Sequence, residues 1–302
     1  MYKERILHFL LLVTLVTTAS PAFAQLSPSA EWATHASNRY QIFPNLTYAT
    51  ASNVELKLDI YKRRDTAGPQ PTVIYMHGGF WAAGAKEGAT MNLMPWFEMG
   101  WNVVNVEYRL ARVALAPAAV EDCLCALRFI GNQAKTYDID TARIVVTGES
   151  AGGHLALSLG MIPDTAGLDR QCAGAALPKV AAVINWFGIT DVYDVIEGPH
   201  RANAAMQWFG SMPNREEIAR RVSPMTYVRS GLPPILTVHG DNDTTVPYPQ
   251  AVQLHAALVK AGVTNQLLTI PGGRHGNFTP AERTRIYTTI REFLAKNGLG
   301  GK

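Results

Sequence analysis

The 302-residue chain carries 27 basic and 24 acidic side chains, a formal charge of +3, and its basic residues are scattered singly rather than gathered in a stripe. That near balance excludes a phosphate-neutralising surface, so no nucleic-acid partner is expected. Its three cysteines, Cys123, Cys125 and Cys172, include no Cys-x-x-Cys spacing, which excludes a zinc ribbon or a thioredoxin-like centre; no metal and no cofactor are expected.

The N-terminus reads as an address rather than as part of a fold. Lys3 and Arg5 precede an apolar run over residues 6–16, and Ala22-Phe23-Ala24 offers a small-x-small cleavage site, so residues 1–24 are predicted to be a signal peptide. A membrane anchor would need about 20 apolar residues. Thr17, Thr18 and Ser20 interrupt this run too early, so no membrane attachment is expected after cleavage. The expected destination is the periplasm or the exterior, where a disulfide is permissible. Removing Lys3, Glu4 and Arg5 leaves a net charge of +2 and enough chain for one large α/β domain.

Residues 25–45 are predicted as a mobile lead-in, and residues 46–302 as the folded domain. Two strands come first, over 46–49 and 54–61, the second alternating Val54, Leu56, Leu58 and Ile60 with polar neighbours. Residues 72–76 are continuously apolar, as expected of a strand buried on both faces. His77-Gly78-Gly79-Phe80-Trp81 leaves that strand directly. Adjacent glycines there allow consecutive N–H groups to converge on one spot, which suits an oxyanion.

A helix over 89–99, a strand over 102–108 and a helix over 118–134 follow. Alternation at this spacing predicts crossover units and a mostly parallel sheet, whose ligands bind beyond the carboxyl ends of the strands. Cys123 falls in register with Val120, Leu127 and Ile130 on the apolar face of the second helix, so Cys125 points elsewhere. Either Cys125 pairs with Cys172, or all three cysteines are buried thiols.

The stretch over 143–157 reads Arg-Ile-Val-Val-Thr-Gly-Glu-Ser-Ala-Gly-Gly-His-Leu-Ala-Leu. A strand meets Gly148-Glu149-Ser150-Ala151-Gly152 and a helix begins, which is the G-x-S-x-G arrangement of a nucleophile on a sharp strand-to-helix turn. After a strand over 181–186, residues 189–222 mix aromatics with weakly periodic charged segments and read as a small cap insertion over the active face. Trp81, Tyr193 and Trp208 are expected to line a pocket beneath it and to limit that pocket to short or flat groups. A strand over 234–238, a helix over 248–261, a strand over 266–270 and a closing helix over 280–296 complete the pattern.

A serine hydroxyl is a weak nucleophile near neutral pH and needs an imidazole base oriented by a carboxylate. His275 follows the last strand between glycines, and Asp243 follows the strand before it. Ser150, Asp243, His275 is the chain order of the α/β-hydrolases. Asp241 is a rival for the acid but adjoins the tight His239-Gly240 turn. His154 lies one turn past Ser150 and reads as a packed, hydrogen-bonded histidine, His77 and His239 as loop-holding ones, and Glu149 as an elbow filler. The N–H groups of Gly79, Phe80 and Ala151 would form the oxyanion hole, each donor contributing roughly 3 to 4 kcal/mol.

With Tyr108-Arg109-Leu110, the elbow continued to His154, Val246-Pro247 and His275-Gly276, these segments resemble the hormone-sensitive-lipase-like esterases of the α/β-hydrolase superfamily over residues 46–295. The resemblance is greatest to a secreted bacterial branch similar to acetylxylan and feruloyl esterases. It implies a mostly parallel sheet flanked by helices, and a serine carboxylic-ester hydrolase acting through an acyl-enzyme on short-chain, acetyl or hydroxycinnamoyl esters, small or polysaccharide-linked. Phe80 departs from the usual third glycine of the first motif. Similar His-Gly-Gly-aromatic-Trp segments occur in kynurenine formamidases, so an amidase, arylformamidase or peptidase on the same fold is the alternative. A non-catalytic binding module on such a scaffold would usually lack a triad member, and this chain has all three.

Overall fold

The computed structural model describes residues 26–172 and 177–300, so the predicted signal peptide lies outside it. The chain divides into two units, residues 1–38 and 39–302. In the first unit a polar helix, α1 (Pro28–Arg39, its last residue past the division), has no buried residue.

The second unit runs β1 (Tyr40–Ala51), β2 (Val54–Arg63), β3 (Gln70–Met76), α2 (Thr90–Glu98), β4 (Asn102–Val106), α3 (Ala118–Asn132), β5 (Ile139–Glu149) and α4 (Ala151–Met161). It continues with β6 (Ala182–Trp186), α5 (Val192–Ile196), α6 (Asn203–Phe209), α7 (Arg215–Val222), β7 (Ile235–Gly240), α8 (Tyr248–Lys260), β8 (Asn265–Ile270) and α9 (Pro280–Lys296). The strands form one sheet in the order β1-β2-β4-β3-β5-β6-β7-β8. Pairings are antiparallel at β1/β2 and β2/β4 and parallel from there on.

Period-2 side-chain alternation divides the core between the two faces of the sheet. Ile74, Met76, Val104, Ile144 and Val146 pack with Leu124, Leu127, Leu155 and Leu254 from α3, α4 and α8. Val73, Tyr75, Val103, Val145 and Ile184 pack with Leu93, Trp96, Ile286 and Phe293 from α2 and α9. Asn102, polar and fully buried in β4, is satisfied on both amide atoms: its Oδ1 accepts the Arg63 N–H at 2.8 Å, and its Nδ2 donates to the carbonyls of Tyr137 and Asp138.

The lead-in expected over residues 25–45 resolves into α1 and the first half of β1. Sequence pattern hid this strand because β1 is an edge strand, broken by register shifts between Phe43 and Leu46 and between Thr47 and Ala49, with Tyr48 its one buried residue. The break is held in place where Asn45, at φ +56°, donates its N–H to Asp59 Oδ1 at 2.8 Å.

Two links fasten α3. Arg109, just past β4, forks onto Asp122 with Nη2 to Oδ1 at 2.6 Å and Nε to Oδ2 at 2.9 Å, and its own N–H also reaches Oδ2. Cys125 is joined to Cys172 by a disulfide, and Cys123 is a buried free thiol. A crosslink closing a loop of this size constrains the unfolded chain and contributes about 2–4 kcal/mol. Reduction of the folded protein should add two hydrogens by mass and lower the urea midpoint accordingly. A midpoint unmoved by reduction would show that the bridge constrains nothing.

Candidate active site

Ser150 stands between β5 and α4 at φ +57° and ψ −119°, a conformation that a non-glycine residue holds only when its surroundings enforce it. Its N–H donates to the Trp186 carbonyl at 2.9 Å, and its own carbonyl accepts the N–H of His154 at 3.0 Å. The flanking glycines are required by space. A Cβ on Gly148 would lie 2.4 Å from the Met76 carbonyl oxygen, and one on Gly152 would lie 2.1 Å from the same atom. Ala151, the first residue of α4, has no preceding turn to accept its N–H within the helix.

The end of β3 presses on the elbow through Met76, and the His77 segment begins there. Gly79 (φ +121°), Phe80 (φ +50°) and Trp81 (φ +56°) turn the chain sharply, and the N–H groups of Ala82 and Ala83 both donate to the Gly79 carbonyl. Tyr108 stacks on the His77 ring with centroids 4.3 Å apart, and its hydroxyl donates to the His77 carbonyl at 2.8 Å.

Trp81 and Trp208 do not line a pocket, contrary to expectation. Both are 0% exposed, stacked on each other with centroids 4.2 Å apart and planes at 17°. Trp81 Nε1 donates to His154 Nδ1 at 3.1 Å, and His154 Nε2 faces the Val222 carbonyl at 2.8 Å. A carbonyl only accepts, so Nε2 carries the proton and the imidazole is neutral. Tyr193 is not among the walls of the cavity at Ser150, and the Arg220 guanidinium lies over its ring at 3.7 Å. Indole rings with one polar N–H bury best where that N–H finds a partner, and His154 supplies one for Trp81.

Asp243 and His275, the acid and base expected from the sequence, lie in hydrogen-bond contact. His275 Nδ1 lies 2.7 Å from Asp243 Oδ2, while Asp243 Oδ1 accepts the N–H groups of Thr245 and Val246 at 2.8 and 3.0 Å. A second histidine, His239, lies 3.3 Å from Asp243 Oδ2 through Nε2, which also donates to the Val246 carbonyl at 3.0 Å. Burial would raise the Asp243 carboxyl, but hydrogen bonds from His239 and His275, charge on His275 and the Val246 N–H outweigh it. The group is held well below the usual carboxylate range. The rival Asp241 is engaged elsewhere, accepting the Gly272 N–H at 2.6 Å.

Ser150 and His275 open on one cavity of about 350 Å³, walled by Gly78, Gly79, Phe80, Glu149, Phe187, Gly276, Asn277 and Arg283. Phe187 sets its ring edge-on to His275 with centroids 4.7 Å apart. Burial pushes the Glu149 carboxyl up, partly offset by Arg283 and by a hydrogen bond from Asn92. Phe187, Arg283 and the second contact of His239 carried no motif; His239 alone had a signal, its placement four residues before the acid. Among the described residues no group of three or more His, Cys, Asp and Glu side chains could hold a metal ion. No described helix is long and apolar enough to cross a membrane.

The BD-FAE family model matches residues 58–258. Among solved structures, a truncated carbohydrate esterase from gut microbiota is 26% identical with a TM-score of 0.75, covering 86% of this chain and 97% of that one. The apo form of Thermogutta terrifontis esterase 2 is 25% identical with a TM-score of 0.73, covering 87% and 97%. Esterase LipQ of Mycobacterium tuberculosis is 28% identical over 249 residues, 78% of this chain and 58% of that protein. Isoprenylcysteine alpha-carbonyl methylesterase ICME of Arabidopsis thaliana is 25% identical over 227 residues, 72% of this chain and 53% of that protein. The chain thus spans about half the length of the curated relatives it matches.

His154 gives the site a measurable acid limit. Its burial depresses the imidazole from 6.5 to about 4, the Val222 carbonyl opposing only in part. The stability tied to the neutral ring is complete above pH 6.5. As pH falls toward 4 the unfolded chain takes up a proton that the folded one refuses, and about 3 kcal/mol is lost. Urea unfolding of the wild type and His154→Gln at pH 7 and pH 4 should show the variant losing less stability by about that amount. An equal loss in both would show that the ring protonates in place without cost.

Proposed function

The chain belongs to the BD-FAE family and has the α/β-hydrolase fold, and from that premise we propose that it is a serine carboxylic-ester hydrolase. The observation that carries this reading is the 2.7 Å His275–Asp243 pair opening on the same cavity as Ser150, itself held on the elbow at the start of α4. The strand ends that carry these groups, β5, β7 and β8, lie on one side of the parallel sheet, with β3 adjoining them.

Ser150 Oγ attacks the ester carbonyl carbon while His275 Nε2 takes its proton. Asp243 fixes the tautomer in which Nδ1 holds a proton and stabilises the imidazolium that forms. The oxyanion receives the N–H groups of Ala151, Gly79 and Phe80. His275 returns the proton to the departing alcohol oxygen, leaving the acyl group on Ser150. Water then attacks the acyl-enzyme with the same base, releasing the carboxylic acid and restoring the serine.

The substrates we assign are acetyl or hydroxycinnamoyl esters, small or attached to polysaccharide, met outside the cytoplasm. The sequence pattern of residues 1–24 supports export, and the Cys125–Cys172 bridge suits an oxidising compartment. The truncated carbohydrate esterase among the structural neighbours supports a carbohydrate-linked ester as one such substrate.

Hydrolysis of p-nitrophenyl acetate should fall at least about a thousandfold in Ser150→Ala and Asp243→Asn, with KM little changed, because both act in the transition state. A fluorophosphonate should label wild type at Ser150 and leave Ser150→Ala unlabelled. Equal rates in wild type and Ser150→Ala would overturn the assignment.

A further inference from the structure

Both the acid and the base of the site stand on loops. Asp243 follows β7, which ends at Gly240, and His275 follows β8, which ends at Ile270. The third side chain at their meeting point, His239, is different: it stands inside β7, paired with Thr269 of β8, and is 0% exposed. Its ring is set edge-on to Tyr248, the first residue of α8, with centroids 5.6 Å apart and planes at 80°. The Tyr248 hydroxyl in turn lies 2.6 Å from Thr269 Oγ1, which ties the helix to the strand partner of His239. A group held on a packed strand keeps its place more closely than one carried on a loop.

We infer that His239 is a positioning residue for the catalytic acid, holding the Asp243 carboxylate where His275 needs it; this deepens the esterase reading above and rests on it. The two carboxylate oxygens are anchored differently. Oδ1 accepts the N–H groups of Thr245 and Val246 at 2.8 and 3.0 Å, both from its own loop. Oδ2 faces His275 Nδ1 at 2.7 Å and His239 Nε2 at 3.3 Å. Without His239, Oδ2 would be held by the reacting imidazole alone, whose charge appears and vanishes in every half-reaction. His239 takes no part in that proton transfer, so its hold on Oδ2 is the same in ground state and transition state.

The chemistry of the ring supports the assignment. The Val246 carbonyl, 3.0 Å from His239 Nε2, only accepts, so Nε2 carries a proton and presents a donor beside Oδ2. Val246 thus gives its N–H to Asp243 and its carbonyl to His239, and acid, loop and ring close one circuit of contacts. Nδ1, on the other side, is buried with no hydrogen-bond partner. An unpartnered buried nitrogen costs stability, and an apolar side chain would fill the space without that cost. Packing therefore does not account for an imidazole here, whereas its Nε2–H does. Burial alone would raise the Asp243 carboxyl, and His239 is foremost among the contacts that outweigh it.

On p-nitrophenyl acetate, His239→Leu and His239→Asn, which leave no donor at the Nε2 position, should lower kcat about tenfold with KM little changed. His239→Gln, whose amide nitrogen stands as many bonds from the backbone as Nε2, should recover most of that loss. In an Asp243→Ala background His239→Leu should cost nothing further, because no carboxylate remains to be held. A second readout needs no turnover. With nitrogen-15-labelled histidine, the His275 Nδ1 proton, identified by its absence in His275→Ala, should exchange with water about tenfold faster in His239→Leu and regain the wild-type rate in His239→Gln. Equal losses of kcat in His239→Leu and His239→Gln, or an undiminished loss in Asp243→Ala, would reduce His239 to a packed ring and overturn the inference while leaving the esterase reading standing. Absence of ester hydrolysis in wild type would overturn the esterase reading, and the exchange rates would then decide the role of His239 alone.

Discussion

The carbonyl oxygen of Met76 occupies the space that a Cβ on Gly148 or on Gly152 would need, at 2.4 and 2.1 Å. That close approach locks the end of β3 to the turn that carries Ser150, so two segments far apart in sequence are registered at van der Waals contact. It also explains why the elbow glycines act through space, since neither is at positive φ while Ser150 is. The strain falls on the serine, and packing of the two parallel strands, paired from Thr72/Ile144 to Met76/Gly148, keeps it there. A residue held this firmly costs no reorganisation when charge develops beside it, which is the condition for electrostatic catalysis.

The second organising contact is the His154 imidazole. It accepts from Trp81 on one nitrogen and donates to the Val222 carbonyl on the other, joining the His77–Trp81 segment, the helix after the nucleophile and the end of α7. Trp208 of α6 closes this assembly by stacking on Trp81. The left-handed backbone at Phe80 and Trp81 would cost about 1–3 kcal/mol per residue. Burial of two indoles and a satisfied histidine offsets that cost and fixes where the Gly79 and Phe80 N–H groups lie.

The sheet, its helices and the meeting of Asp243 with His275 were legible in the sequence because each rests on a local rule: apolar runs for doubly buried strands, 3.6-residue periodicity for helices, and chain order for the acid and the base. Edge strand β1 was legible only in part, since two register shifts erase the alternation that marks a strand. The role of Trp81 and Trp208 was misread for a different reason. An aromatic near an active site looks the same in sequence whether its ring faces substrate or a partner, and the stacking of Trp81 on Trp208 is a contact across 127 residues. Phe187 and Arg283 escaped because their positions come from tertiary packing: one follows β6 at φ +39°, and the other lies one turn into α9.

These corrections move the choice of substrate away from the insertion. Within residues 189–222 Trp208 and Phe209 are fully buried, and Trp208 packs against the His77–Trp81 segment through Trp81. What faces the serine is a wall of Phe80, Phe187, Glu149 and Arg283. Phe80 and Phe187 offer apolar surface suited to a flat or short acyl group. Arg283 and Glu149 bring a guanidinium and a carboxylate to the same cavity. The cavity is therefore bounded by apolar rings on some walls and by a guanidinium and a carboxylate on others, and those walls come from α9 and the strand ends, elements that also carry Ser150 and His275.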